Sequence, residues 1–340
     1  MHVFLYEWLT GGGLINEPGQ LPPTLLREGA AMATALAADF AKLPDCRVSV
    51  LRDMRLDTLS FPGCDVVDVQ SLTEWSDEFD RLAGEADWSL AIAPEFDRIL
   101  ARTTQRLIDA GGRTLNASRE FIVLASNKHL TAARLSEANV PTPYGVLFAE
   151  GEAKLPADFR YPAVLKPVDG AGSQDVLLIS SHRDEPPSYA WERRLEEFKP
   201  GRAASISAIC GEASTTLLPA CWQHLSEDAR LSYQGGAVID EPALAERVAQ
   251  LASRALAAMP PARGYVGVDL VLGASAHGDD DAVIEINPRV TTSYVGLRQA
   301  VNENLAQTLL DAAEGRASEV TLRNSMIEFA ADGTTWVRRR

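Results

Sequence analysis

The feature that most constrains this chain is an alternation of short apolar runs with amphipathic stretches over residues 1–120. Val3–Tyr6 is an apolar run that ends at Thr10-Gly11-Gly12-Gly13, which predicts a strand running into a glycine loop. Pro22-Pro23 opens a helix on which Met32, Leu36, Phe40 and Leu43 fall on one face. Arg47–Leu51 reads as a second strand. A helix over Glu74–Gly84, a strand over Trp88–Ala93 and a helix over Phe96–Ala110 follow. Gly111-Gly112 stops that helix, and Arg113–Leu115 restarts a strand. Such alternation implies a parallel sheet covered by helices on both faces. At 340 residues the chain has length for two or three domains and a sizeable core.

The pattern changes after Asn127. A helix carries Leu130, Ala133, Arg134 and Leu135, and Val140-Pro141-Thr142-Pro143 breaks it. Tyr144–Phe148 looks extended, and Tyr161–Ala220 reads as short strands with turns, as in an antiparallel sheet. Ala243–Met259 is a helix with Leu244, Val248, Leu251 and Ala255 on one face, bounded by Pro242 and Pro260-Pro261. Gly264–Leu272 and Ala282–Ile286 are predicted strands joined through the turn Gly278-Asp279-Asp280-Asp281. A last helix is expected around Glu303–Ala313, and Arg338-Arg339-Arg340 is expected to be a solvated tail.

Charge and motifs remove several function classes. Lys+Arg is 32 against Asp+Glu 47, a formal charge of −15, which opposes nucleic acid as a partner because backbone phosphates demand local positive charge. No apolar run reaches membrane-spanning length, so no membrane partner is expected. Met1-His2-Val3-Phe4 lacks the basic-then-apolar pattern of a signal peptide, and the expectation is a cytoplasmic enzyme. Cys46, Cys64, Cys210 and Cys221 form no Cys-x-x-Cys pair, so neither a disulfide framework nor a zinc site is suggested. The sequence contains no Walker-type phosphate loop, no Gly-x-Gly-x-x-Gly, no His-x-x-x-His and no Gly-x-Ser-x-Gly.

One constellation remains, in the second half. Ala163-Val164-Leu165-Lys166-Pro167 is an apolar strand ending in a lysine, followed by the small-residue loop Gly170-Ala171-Gly172-Ser173. Glycines let backbone amides approach a phosphate and the lysine supplies a point charge. The same pattern also suits a solvated lysine beside a turn. In Val283-Ile284-Glu285-Ile286-Asn287-Pro288-Arg289, strand alternation puts Glu285 and Asn287 on one face and sends Ile284 and Ile286 into a core. A carboxylate and an amide oxygen side by side suit Mg²⁺, and Asp269 on the preceding strand completes the acidic set. A polar face towards water is the alternative, and the strongly apolar opposite faces argue against it. Leu195-Glu196-Glu197-Phe198-Lys199-Pro200-Gly201 fits a hinge whose backbone reads an adenine edge, but by composition it fits a plain loop equally well.

In this order and spacing, these parts resemble the ATP-grasp superfamily over Asn127–Gly315, with Asn127-Lys128-His129-Leu130-Thr131 opening the match and Glu285-Ile286-Asn287-Pro288-Arg289 its most specific element. The resemblance implies an α/β ATP-grasp fold. Its expected parts are an N-terminal parallel-sheet substrate domain (1–120), a small lid subdomain (121–200), a C-terminal antiparallel-sheet catalytic subdomain (201–325) and a tail (326–340). It also implies that Lys128 and Lys166 contact ATP phosphates and that Gly170, Ala171, Gly172 and Ser173 close over them. Glu196, Glu197 and Phe198 would form the adenine hinge. Asp269, Glu285 and Asn287 would hold two Mg²⁺, or Mn²⁺ in their place. Arg289 and Lys166 are then the expected catalytic residues. Many members carry a ribose-binding glutamate shortly after the hinge glycine; here Arg202-Ala203-Ala204-Ser205 stands instead, which leaves the ribose contact unassigned.

A narrower resemblance lies in Glu285–Leu297, in Gly264-Tyr265-Val266-Gly267-Val268-Asp269 and in Phe4-Leu5-Tyr6-Glu7. These segments look like the tyramine–L-glutamate ligases of methanofuran-type cofactor biosynthesis. The resemblance implies small-molecule carboxylate and amine substrates joined through an acylphosphate. Another amine or amino acid, or a non-catalytic nucleotide-binding regulator, is the alternative. Thr292, Ser293, Tyr294 and Glu7 are the expected substrate contacts, with Tyr6 and Trp8 either near the cleft or simply ends of a core strand. A homo-oligomer is compatible with all of this.

Overall fold

The computed structural model describes residues 1–170, 172 and 174–339, so the loop residues Ala171 and Ser173 lie outside the described residues. The N-terminal unit contains β1 (His2–Glu7), α1 (Pro23–Phe40), β2 (Arg47–Asp53), β3 (Asp65–Val69), α2 (Leu72–Glu85), β4 (Trp88–Ile92) and α3 (Ile99–Asp109). Its strands pair in parallel in the order β3-β2-β1-β4. Strand β1 is apolar from Val3 to Tyr6 because both of its faces are covered there. Val3 and Leu5 join a core with Met32, Leu36 and Phe40 of α1, while Phe4 and Tyr6 join Phe79 and Leu82 of α2. Pro23 occupies the first turn of α1, where a missing N–H costs nothing.

Two short helices follow, α4 (Arg119–Ser126) and α5 (Lys128–Glu137). Ser118 accepts the Phe121 N–H to cap α4, and Asn127 accepts the Leu130 N–H to cap α5. The second cap makes Lys128 the first residue of α5. The segment expected to open the small unit instead packs its helices α4 and α5 against the large sheet described below. The small antiparallel sheet has the order β5-β8-β6-β7, from β5 (Gly145–Phe148), β6 (Ala163–Pro167), β7 (Leu177–Ile179) and β8 (Arg193–Glu197). It closes on its own core of Phe148, Leu165, Ile179 and Leu195.

The remaining elements are β9 (Arg202–Cys210), β10 (Thr215–Leu217), β11 (Cys221–Leu225), β12 (Tyr233–Val238), α6 (Pro242–Ala258), β13 (Gly264–Leu272), β14 (Ala282–Asn287), α7 (Tyr294–Ala300), α8 (Leu305–Ala313), β15 (Ser325–Ala330) and β16 (Thr335–Arg339). They build a large antiparallel sheet in the order β14-β13-β9-β11-β12-β15-β16, with β10 on β9. Residues 326–339 are therefore part of a hairpin and not a tail, Arg338 included, while Arg340 lies outside the described residues. Alternate residues Ile327 and Phe329 of β15 turn into the core, and the hairpin with β16 completes the sheet, Arg338 pairing in register with Met326. Among the described residues no helix is long and apolar enough to cross a membrane.

Helix α1 is bound to the C-terminal helices through a buried carboxylate. Asp39 accepts the Tyr294 hydroxyl at 3.0 Å and Arg298 Nε at 2.7 Å, while Arg298 Nη2 reaches its other oxygen. The Asp39 carbonyl also accepts Asn304 Nδ2 at 2.8 Å. Asp39→Ala should lower unfolding stability by about 3 kcal/mol, because it strands a guanidinium and a buried hydroxyl together. Urea denaturation measures this, and an unchanged midpoint contradicts it.

Candidate active site

A cavity of about 460 Å³ opens between the small sheet, the large sheet and α1. Its floor is the β13–β14 pair. Register sets Asp269 opposite Glu285 and Gly267 opposite Asn287, so the two carboxylates and the amide share one face. The pairing slips between Asp269 and Leu270, because Leu270 meets Val283 and leaves Ile284 as the extra residue of a bulge. Ile284 accordingly lines the cavity instead of entering the core as strand alternation predicts. Its carbonyl lies 3.5 Å from Lys166 Nζ.

Asp269 is gripped at both oxygens. Gln223 Nε2 donates to Oδ1 at 2.8 Å and Asn287 Nδ2 to Oδ2 at 2.9 Å. Burial and the adjacent Glu285 charge push its carboxyl up to about 7. Burial opposes the charge on Glu285 too, but Lys128 and Lys166 outweigh it and hold that carboxyl below its ordinary value. Buried carboxylates in this arrangement call for positive charge, and the set Asp269, Glu285 and Asn287 offers the oxygen donors that hard divalent cations take. Among the described residues no cluster of three or more His, Cys, Asp or Glu gathers to hold a metal.

Three cations surround the floor. Lys128 Nζ stands 3.2 Å from Glu285 Oε2 and donates to the Gly170 carbonyl at 3.0 Å. Burial works against its charge, yet Glu285 and Glu95 keep its pKa above the ordinary lysine value. Lys166 Nζ lies 2.6 Å from Glu196 Oε1, both side chains being buried. Arg194 Nε holds the other Glu196 oxygen at 2.8 Å, and its remaining nitrogens bond the Pro143 carbonyl and His129 Nδ1. Arg289 Nε donates to Glu95 Oε1 at 2.9 Å and Nη1 to the Val290 carbonyl.

The structure redistributes several expected roles. Glu196 was expected to serve through its backbone, but its side chain anchors Lys166. In the same hinge, the Glu197 N–H is taken by the Tyr144 carbonyl and the Phe198 N–H by the Pro162 carbonyl, although Glu197 and Phe198 both line the cavity. Gly170 and Gly172 line it as well, and Gly172 adopts φ +66, a conformation that L side chains rarely adopt. Thr292 and Ser293 reach the cavity, whereas Tyr294 turns away and is buried against Asp39 and Tyr265. Glu7 accepts the Leu9 and Thr10 N–H groups, so it stabilises the turn after β1. Burial raises its pKa, and Gly29 leaves room for it, since a Cβ there would sit 2.5 Å from Glu7 Oε1. Tyr6 is a core residue accepting Trp75 Nε1 at 3.2 Å, while Trp8 lines a smaller recess beside the cavity.

Four residues were not anticipated. Gln223 holds Asp269, Glu95 holds Arg289, and Arg202 stacks at 3.6 Å over Trp222 where the ribose glutamate was missing. Glu28 of α1 accepts Thr292 Oγ1 at 3.2 Å. Its position four residues before Met32, on the apolar face of α1, was the available signal, because a charge there must find a partner in the interior.

A family model described as an ATP-grasp domain matches residues 125–293, and one described as a pre ATP-grasp 3 domain matches residues 46–122. The tyramine–L-glutamate ligase of Methanocaldococcus jannaschii is 26% identical over 313 residues, covering 92% of this chain and 89% of that protein. The enzyme of the same name from Methanocaldococcus fervens is 25% identical over 96% of this chain and 98% of its own length. Among solved structures, a putative ATP-grasp superfamily protein from Archaeoglobus fulgidus superposes with a TM-score of 0.70 at 23% identity, covering 96% of this chain and 92% of that one.

Lys166→Met should weaken ATP binding roughly ten- to a hundredfold, the worth of a hydrogen bond between a charged pair. Tyr294→Phe should leave ATP binding unchanged and lower stability by about 1 kcal/mol, the worth of one hydrogen bond. Calorimetric titration with ATP, together with urea unfolding, checks both. Weakened binding in Tyr294→Phe or normal binding in Lys166→Met contradicts the assignment.

Proposed function

This chain belongs to the ATP-grasp superfamily, and on that premise we propose that it is an ATP-dependent carboxylate–amine ligase joining glutamate to tyramine. The observation that carries the reaction class is the facing pair Asp269–Glu285, bracketed by Lys128, Lys166 and Arg289 in one cavity. A phosphoryl-transfer site needs little beyond positioned positive charge and aligned reactants, and this is such an arrangement. Likeness to tyramine–L-glutamate ligases over nearly the whole chain supports the substrate pair.

In this reading, a carboxylate oxygen of glutamate attacks the γ-phosphorus of ATP, and the bond to the β-phosphate oxygen breaks to release ADP. The resulting acylphosphate is attacked at its carbonyl carbon by the neutral amine nitrogen. Phosphate leaves with the C–O bonding pair, the nitrogen loses a proton, and an amide remains. Lys128 and Lys166 neutralise phosphate oxygens, and their anchoring by Glu285 and Glu196 removes the need to reorganise as charge moves. Arg289, held by Glu95, steadies the phosphoryl group or the acylphosphate. With the Glu197 and Phe198 N–H groups already taken, the remaining backbone groups of Glu197–Lys199 meet the adenine, and Gly170 and Gly172 line the cavity beside the phosphates. Asp269, Glu285 and Asn287 would hold two Mg²⁺, or Mn²⁺, which supply further neutralisation of the phosphate oxygens.

The test is ADP release by the full chain with Mg²⁺-ATP, glutamate and a panel of amines, with products weighed by mass spectrometry. Tyramine should give ADP and a product of the summed mass of glutamate and tyramine less one water. Glu285→Ala should abolish it. A product formed only with another amine replaces the acceptor, while ATP binding without ADP release for any pair favours a regulator over a ligase.

A further inference from the structure

The cavity continues into a smaller recess that shares Glu28, Gly172 and Arg289 with it. Glu28 stands at this junction and is 8% exposed. Its Oε2 accepts the Thr292 hydroxyl at 3.2 Å, but its Oε1 is buried with no hydrogen-bond partner among the described residues. An unpartnered carboxylate oxygen in such a place costs free energy until a donor arrives. We propose that Glu28 is the anchor for a primary ammonium group of a substrate, an inference that rests on the ligase reading above and names the residue that receives one reactant.

The neighbouring residues narrow the donor. Arg289 does not fill the role, since its hydrogen bonds go to Glu95 and the Val290 carbonyl. Glu7, the acid expected from the sequence to meet an ammonium, has both oxygens occupied by the Leu9 and Thr10 amides. A divalent cation is poorly served by one carboxylate and one hydroxyl. An ammonium carries three donors and a full charge, so it satisfies Oε1 and offsets the burial that raises the Glu28 pKa against the opposing pull of Arg289 and Thr292. The recess walls of Trp8, Leu25, Met32, Ile92 and Pro94 present an apolar surface for the hydrocarbon next to such a group. Two reactants carry the required chemistry: the acceptor amine, and the α-amino group of an amino-acid carboxylate donor.

The test is equilibrium binding to the full chain with Mg²⁺ and a non-hydrolysable ATP analogue. The probes are tyramine and glutamate, each beside its uncharged-end counterpart: the alcohol analogue of tyramine, and glutarate. Glu28→Gln should weaken one ammonium ligand by about tenfold or more, as loss of a charged hydrogen bond does, and leave its counterpart unchanged. Loss confined to tyramine assigns the acceptor amine to Glu28; loss confined to glutamate assigns the α-ammonium. Equal binding of both ammonium ligands to wild type and variant overturns the proposal, as expected if Oε1 merely holds water. Equal losses for the counterparts overturn it too, because they reflect packing. If Glu28→Gln does not fold, Thr292→Val should weaken the same ammonium ligand selectively, and unchanged discrimination in that variant overturns the proposal. Failure of the ligase reading shows separately, as wild-type chain that forms no amide with any pair while it still discriminates ammonium ligands.

Discussion

Two carboxylates held side by side on neighbouring antiparallel strands set the terms for everything around them. Asp269 and Glu285 cannot both be charged in a buried site without compensation, and the burden falls unequally. Lys128 and Lys166 keep Glu285 ionised, while Asp269 is pushed to about 7 and is held by Gln223 and Asn287. The surrounding elements supply that compensation. The Asn127 cap starts α5 at Lys128, and β6 delivers Lys166. The small sheet, through Glu196 and Arg194, fixes where the Lys166 ammonium sits.

The N-terminal unit takes part in the same charge balance. Glu95 follows β4 and holds Arg289, which follows β14, so this ion pair ties the parallel sheet to the large antiparallel one at the cavity. Helix α1 contributes at both ends of its length: Glu28 meets Thr292, and Asp39 meets Tyr294 and Arg298. The residues just after β14 therefore divide their work. Arg289 and Thr292 face the cavity, while Tyr294 and Arg298 carry the packing of α7 against α1.

Much of this was readable in the sequence where the signal is local. The strand–helix alternation of the first unit, the Pro-bounded helix α6 and the strands β13 and β14 depend on period and turn chemistry within a few residues. The placement of Glu285 with Asn287 on one face survived because both lie on one strand past the bulge. Ile284 was misread because the bulge is set by pairing with β13, and a one-residue slip reverses a side chain's face. Tyr294 was misread because its partner, Asp39, lies 255 residues away. Glu95 and Glu28 were missed for the same reason, each meeting a residue more than 190 positions distant. The β15–β16 hairpin did leave a signal. Ile327 and Phe329 alternate, and Gly333, at φ +89, sits in the turn, but the arginines beyond it suggested a solvated end.

The arrangement exists, in this account, to move a phosphoryl group onto a carboxylate, and oxygen tracing tests that step most directly. Glutamate labelled with ¹⁸O in its carboxylates is converted with ATP and tyramine, and the released phosphate is weighed. Transfer through an acylphosphate predicts one labelled oxygen in phosphate for each amide formed. Unlabelled phosphate accompanying amide formation, or label appearing in AMP, would contradict it.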